Sequence, residues 1–103
     1  MIYHVANIAA WEAAQENNQY IHPSLTSDGF IHACSKEQLR GVLDRYYKDE
    51  TDIVLLEIDE SKLTNPLKYE LAPTLNEMFP HCFGFINTDA VLAVYPYQSF
   101  AHQ

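Results

Sequence analysis

Basic residues are scarce in this sequence. Six Lys and Arg stand against 14 Asp and Glu, a formal net charge of −8 over 103 residues. Affinity for nucleic acid comes largely from basic groups meeting phosphates, so non-specific DNA or RNA binding is disfavoured. The balance still leaves room for one small anionic ligand held at a helix end. Cysteine is nearly absent: Cys34 and Cys82 are the only two. They form neither a disulfide framework nor a Cys-x-x-Cys metal knuckle, so free thiols in a reducing cytoplasm are expected. The three Gly and five Pro are scattered and mark turns rather than a linker. No apolar run approaches the ~18 residues of a membrane span. The opening Met1-Ile2-Tyr3-His4 lacks a basic region followed by an apolar stretch, so no secretory signal is expected.

What remains is globular composition, 48% hydrophobic and 19% charged. The length predicts one domain over residues 1–103, large enough to bury a core. Ile2-Tyr3-His4-Val5 predicts a short first strand. Asn7 predicts the N-cap of a helix over about Ile8 to Asn17, ended by Asn17-Asn18-Gln19. A connecting segment with His22-Pro23-Ser24 leads to the Asp28-Gly29 turn. Phe30 to Cys34 predicts a second strand, with Phe30, His32 and Cys34 on one face and Ile31 and Ala33 on the other. Ser35 and Gln38 form a capping-box pattern. The spacing of Leu39, Val42, Leu43, Tyr46 and Tyr47 then predicts an amphipathic helix over Lys36 to about Lys48. Ile53 to Ile58 is nearly all apolar and predicts a central strand buried on both faces. Leu67 to Leu71 alternates as a further strand, with Lys68 and Glu70 opposite Leu67, Tyr69 and Leu71. Phe79-Pro80-His81 is expected to precede a strand over Cys82 to Phe85 with an irregularity at Gly84. Ala90 to Tyr95 is the last strand, limited by Pro96. Two early helices and mostly late strands make an α+β pattern.

Four of the five histidines, His4, His22, His32 and His81, sit at predicted strand ends or beside turns. Each alone suits a surface or core role, but histidine is also the side chain that most readily changes charge near neutral pH. His102 lies in the tail and receives no role. The junction of the second strand with the capped helix is the best anion site by sequence. Ser35 offers a hydroxyl there, and Lys36 and Arg40 put positive charge nearby. Ordinary capping with solvated charges is the plainer reading of the same residues. A metal site built from His32 and Cys34 with His4, His81 or Glu70 is a lesser alternative, because no spacing matches a known metal motif, and no metal is expected. Cys34 beside the helix start reads either as a buried inert thiol or as a nucleophile with lowered pKa. Glu70 is a poor β-former placed mid-strand. It reads either as an edge-strand residue facing water or as a carboxylate aimed into a cleft to hold a sugar hydroxyl or stabilise oxocarbenium charge.

Several segments in order carry a resemblance over nearly the whole chain. They include Ile2-Tyr3-His4, His22-Pro23-Ser24-Leu25, Asp28-Gly29-Phe30-Ile31-His32-Ala33-Cys34-Ser35, Lys68-Tyr69-Glu70, Phe79-Pro80-His81 and Asn87-Thr88-Asp89-Ala90-Val91. Together they resemble a small, mainly bacterial domain family of unknown function, number 952. That family is grouped by fold with the ADP-ribosyltransferases and the RNA 2'-phosphotransferases. The resemblance implies a split β-sheet core with a cleft suited to NAD or ADP-ribose. It implies that His4 bonds the ribose or amide and that Ser35 meets the nicotinamide end or a phosphate. Glu70 would hold the 2'-hydroxyl, and His32 and His81 would orient the ligand or relay protons. His22 and Lys36 stand as further ligand-binding candidates. Two departures bear on the activity. The phosphotransferases rely on several arginines, whereas this chain has only Arg40 and Arg45, both in one predicted helix. Phe83 stands where the family often has Tyr. The expectation is therefore an NAD- or ADP-ribose-related transferase-like enzyme or binder. The alternatives are a non-catalytic small-molecule-binding or interaction domain and a metal-dependent enzyme using the His/Cys cluster.

Overall fold

The computed structural model describes residues 1–100, so His102 lies outside the described residues. Strand β1 (Ile2–Asn7) runs into helix α1 (Ile8–Asn17) without a loop, because the Asn7 side chain accepts the Ala10 N–H at 3.1 Å and caps it. Asn18 takes the left-handed conformation at φ 58° and ends α1, as asparagine tolerates. Strand β2 (Gln19–Tyr20), the single turn α2 (Ser24–Ser27) and strand β3 (Ile31–His32) follow. Helix α3 (Leu39–Tyr46), strands β4 (Ile53–Ile58), β5 (Leu67–Ala72), β6 (Glu77–Cys82), β7 (Ile86–Asn87) and β8 (Val91–Pro96), and the turn α4 (Tyr97–Phe100) complete the described residues. The fold is α+β; the described residues form four α-helical elements and antiparallel sheets ordered β1-β4-β8, β3-β6-β5 and β2-β7.

The central strand β4 behaves as its composition demands. Val54, Leu56 and Ile58 join one buried cluster with Ile2, Ala6, Trp11, Tyr20 and Ile86. Ile53 and Leu55 face the other way, into a second cluster with Val5, Leu39, Leu43, Phe79 and Phe100. Leu56 and Ile58 are fully buried. Burial of a side chain of this size contributes about 1.5–3 kcal/mol.

Several boundaries differ from expectation: β1 runs on to Asn7, β8 is Val91–Pro96 with Pro96 inside it, and three more bear on the site. The second strand is paired only at Ile31 and His32, not from Phe30 to Cys34. Ala33 N–H donates to the Pro80 carbonyl at 3.1 Å, but Pro80 has no N–H to return, so the ladder with β6 stops there. On its other side the strand meets β1 at one point, where Tyr3 and Cys34 exchange two backbone hydrogen bonds of 2.8 Å. The two three-stranded sheets are therefore joined by this single bridge and part beyond it. Phe79-Pro80-His81 lies inside β6, which ends at Cys82, so residues 83–85 form a turn instead of the expected strand. Gly84 supplies the φ of +156° that the turn requires.

Helix α3 is shorter than the predicted Lys36–Lys48 segment. The capping box does form: Ser35 N–H donates to Gln38 Oε1 at 3.0 Å, and Gln38 N–H to Ser35 Oγ at 3.2 Å. However, Gln38 and Leu39 close back three residues, onto Ser35 and Lys36, which makes a tight turn of residues 35–38 ahead of the helix. Tyr46, placed on the predicted apolar face, is 65% exposed.

Candidate functional site

Where β1 and β3 part, a cleft of about 660 Å³ opens. This is the size of a small-molecule site. All four histidines flagged by the sequence line it: His4 from β1, His22 from the segment before α2, His32 from β3 and His81 from β6. Asp28, Ser24, Arg45, Tyr46 and Tyr47 form other parts of the wall.

His4 is the post on which this arrangement rests. Its Nδ1 lies 2.6 Å from the His32 carbonyl oxygen. A carbonyl only accepts, so Nδ1 carries the proton and donates. Nε2 is then the acceptor, and the Tyr20 hydroxyl donates to it at 2.9 Å. The ring thus replaces the missing strand ladder with a side-chain bridge from β1 to β3. Burial holds the His4 pKa at about 4, against an ordinary 6.5, so the ring is neutral; its bond to the His32 carbonyl pulls the other way, while His22 and His32 push it further down. Burial likewise raises the Tyr20 phenol well above its ordinary range, with Tyr47 adding to the effect. Both ring nitrogens of His4 are engaged by protein groups. The expectation of a direct bond from His4 to a ribose meets a ring with no free nitrogen.

His22 is set by its neighbours in a similar way. The Ser24 backbone N–H donates to His22 Nδ1 at 3.0 Å, which leaves the proton of the neutral ring on Nε2. The Ser24 hydroxyl donates to the Phe30 carbonyl at 2.7 Å and pins this segment to the start of β3. Burial lowers the His22 pKa and the nearby His32 lowers it further, against the pull of Asp28.

His32 and His81 are register partners across β3 and β6, with ring centroids 5.4 Å apart. Each has a carboxylate behind it. His32 Nε2 lies 2.9 Å from Asp28 Oδ2, and this bond holds the Asp28 carboxyl below its ordinary value. His81 Nδ1 lies 2.8 Å from Glu70 Oε1. Phe30 stacks on the His81 ring at 3.9 Å and 14°. Glu70 sits on β5, the edge strand of its sheet, and its side chain is 44% exposed. It is absent from the cleft wall and reaches it through His81.

The remaining sequence candidates lie elsewhere. Ser35 is occupied by Gln38 and does not line the cleft. Lys36 lines a second concavity of about 510 Å³ with Tyr3, Leu39, Arg40 and Phe100. Cys34 is not at a helix N-terminus, because α3 begins at Leu39. Burial pushes its pKa up to about 12, against the pull of Arg45, which supports the reading of a buried inert thiol over that of an activated nucleophile. Among the described residues, no three His, Cys, Asp or Glu side chains converge as a metal-holding group. Sequence reasoning missed Tyr20, Ser24 and Asp28. The one legible signal was Asp28, placed across a glycine turn from His32.

An α+β protein with a histidine-lined cleft at the parting of two antiparallel sheets is the class these features define. The sequence pattern of a family described as "Protein of unknown function (DUF952)" matches residues 5–94, and the chain belongs to that family. Its fold is similar to that of protein CC0527 from Caulobacter crescentus. The crystal structure of CC0527 is 26% identical, with a TM-score of 0.82 over 90% of this chain and 82% of that one. The solution NMR structure of CC0527 matches with a TM-score of 0.77 at 26% identity, over 90% of this chain and 80% of that one. No curated protein matches the chain. No helix among the described residues is long and apolar enough to cross a membrane.

Proposed function

We propose that the four-histidine cleft binds a small ligand of the NAD or ADP-ribose class in an ADP-ribosyltransferase-like fold, and that it acts on the ribosyl part of that ligand. The observation that carries this reading is the convergence of His4, His22, His32 and His81, distant in sequence, on one cleft at the split between two sheets. Titratable groups collected in a concavity mark a reacting or binding site. His22 Nε2–H offers a donor to a ribose hydroxyl or phosphate oxygen. Arg45 in the wall offers the positive charge that a phosphate needs. His4 acts on the ligand through His32, whose carbonyl it holds. Glu70 acts through His81. In this reading the protein works in the cytoplasm, where its two buried cysteines remain free thiols.

The test is a two-dimensional amide NMR titration with NAD and then with ADP-ribose. Saturable shifts clustered at His22, Ser24, Asp28 and His32 are expected. Absence of shifts at millimolar ligand would refute the reading. Glu70→Gln should abolish product formation while binding persists; a parent protein that binds ADP-ribose and forms no product would be a non-catalytic binder.

A further inference from the structure

The sequence and the fold leave unassigned what the two histidine–carboxylate pairs do. We infer that His32 and His81 form a general base and general acid couple that hydrolyses a ribosyl–oxygen bond, and that the substrate class of the cleft is an O-linked ADP-ribosyl group rather than NAD. This inference rests on the ligand class proposed above.

The tautomers carry the argument. In its neutral form each ring donates its one proton to its carboxylate: Nε2–H of His32 to Asp28 at 2.9 Å, Nδ1–H of His81 to Glu70 at 2.8 Å. The nitrogens left over are Nδ1 of His32 and Nε2 of His81. Among the described residues no group hydrogen-bonds either one. Both rings line the cleft, and their centroids are 5.4 Å apart, so the two rings stand close enough to act on one bound group. A carboxylate behind a histidine fixes the tautomer and stabilises the imidazolium formed during proton transfer. Two such pairs side by side supply a proton acceptor and a proton donor together.

The environments divide the roles. The His32 side chain is 56% exposed, so it meets the attacking water and returns its proton to solvent. The His81 side chain is 12% exposed and has one face covered by Phe30, so it is screened from solvent and suited to protonate a leaving group. In the reaction, Nδ1 of His32 takes a proton from water, and the water oxygen forms a bond to the anomeric carbon of the ribose. The bond from that carbon to the leaving oxygen breaks with its electron pair, and the imidazolium of His81 gives its Nε2 proton to that oxygen. One water is consumed, and ADP-ribose and an alcohol are released. His32 ends protonated and His81 neutral, and exchange with solvent restores both. The leaving group decides between substrates. Nicotinamide departs from NAD as a neutral base and needs no proton, so a general acid would be idle. An alkoxide leaving group needs the proton.

The experiment compares three compounds with the full chain: a peptide carrying ADP-ribose on a serine hydroxyl, ADP-ribose carrying 4-nitrophenolate at the same position, and NAD. The serine-linked peptide should release ADP-ribose at least about 100-fold faster than NAD is cleaved, with a bell-shaped pH profile. His81→Ala should slow the serine-linked compound by about 10²–10⁴-fold and slow the nitrophenyl compound far less, because nitrophenolate departs without a proton. Asp28→Asn should displace the acid limb of the profile, and Asp28→Glu should restore it. Equal loss on both leaving groups in His81→Ala, or NAD cleaved as fast as the peptide, would overturn the couple. ADP-ribose binding in NMR with no release from the peptide would overturn the couple but leave the ligand class standing. No ADP-ribose binding at all would overturn both. Melting temperatures of the variants separate loss of folding from loss of chemistry.

Discussion

Replacing Tyr20 by Phe tests the post that holds the cleft together. Tyr20 is 1% exposed, and its ring packs near Trp11 and His4. Phe keeps that ring and removes only the hydroxyl that donates to His4 Nε2 at 2.9 Å. His4 cannot turn to compensate, because its Nδ1–H is held by the His32 carbonyl at 2.6 Å. A buried acceptor is thus left without a partner, at a cost of about 1–3 kcal/mol. For a domain of this size the melting temperature should fall by roughly 5–20 °C. Circular dichroism melts and urea unfolding measure the change. A double-mutant cycle with His4→Phe isolates the bond. The double variant should be less destabilised than the sum of the singles, because neither end of the Tyr20–His4 bond is then left unpaired, while the donor lost by the His32 carbonyl is common to His4→Phe and the double variant and cancels in the cycle. Additive single costs, or a Tyr20→Phe protein as stable as the parent, would refute the assignment of His4 as a bridge fastened at both nitrogens.

Two further outcomes follow from the same physics. The His4 pKa falls from 6.5 to about 4 on folding, so between those values the unfolded chain binds more protons than the folded one. Stability should be full above pH 6.5 and be lost as the pH drops towards 4, by about 3 kcal/mol from this group, with His22 acting in the same direction; urea midpoints across that range in the parent and in His4→Phe, where most of the slope should vanish, measure it. Burial raises the pKa of both Cys34 and Cys82, so a thiol reagent at pH 8 should react with neither in the folded protein and with both in urea; rapid labelling of the folded state would show that one of these sites opens.

Local pattern determined most of the framework. The run from Ile53 to Ile58 declared a strand buried on both faces, and it lies at the centre of its sheet between the two clusters. Asn7 and Asn17-Asn18 declared both ends of α1, because capping and left-handed backbone are properties of single residues. The four cleft histidines were legible as a group, since each was expected beside a turn or strand end, although His4 lies within β1. Other features were settled only by tertiary structure. The Ser35 junction reads as an anion site when taken alone, yet its hydroxyl is occupied by Gln38 and α3 begins later. Pro80 stops the β3 ladder because of where β6 falls, which no local signal around Phe30 to Cys34 contains. The pairing of His81 with Glu70 joins β6 to β5, and the bond of His4 to the His32 carbonyl joins β1 to β3. Both depend on strand register over long separations. The sequence by itself therefore determined which side chains were available for chemistry. The tertiary structure alone decided which ring nitrogens are engaged and which are free, because tautomer and burial follow from partners that the chain meets only when folded.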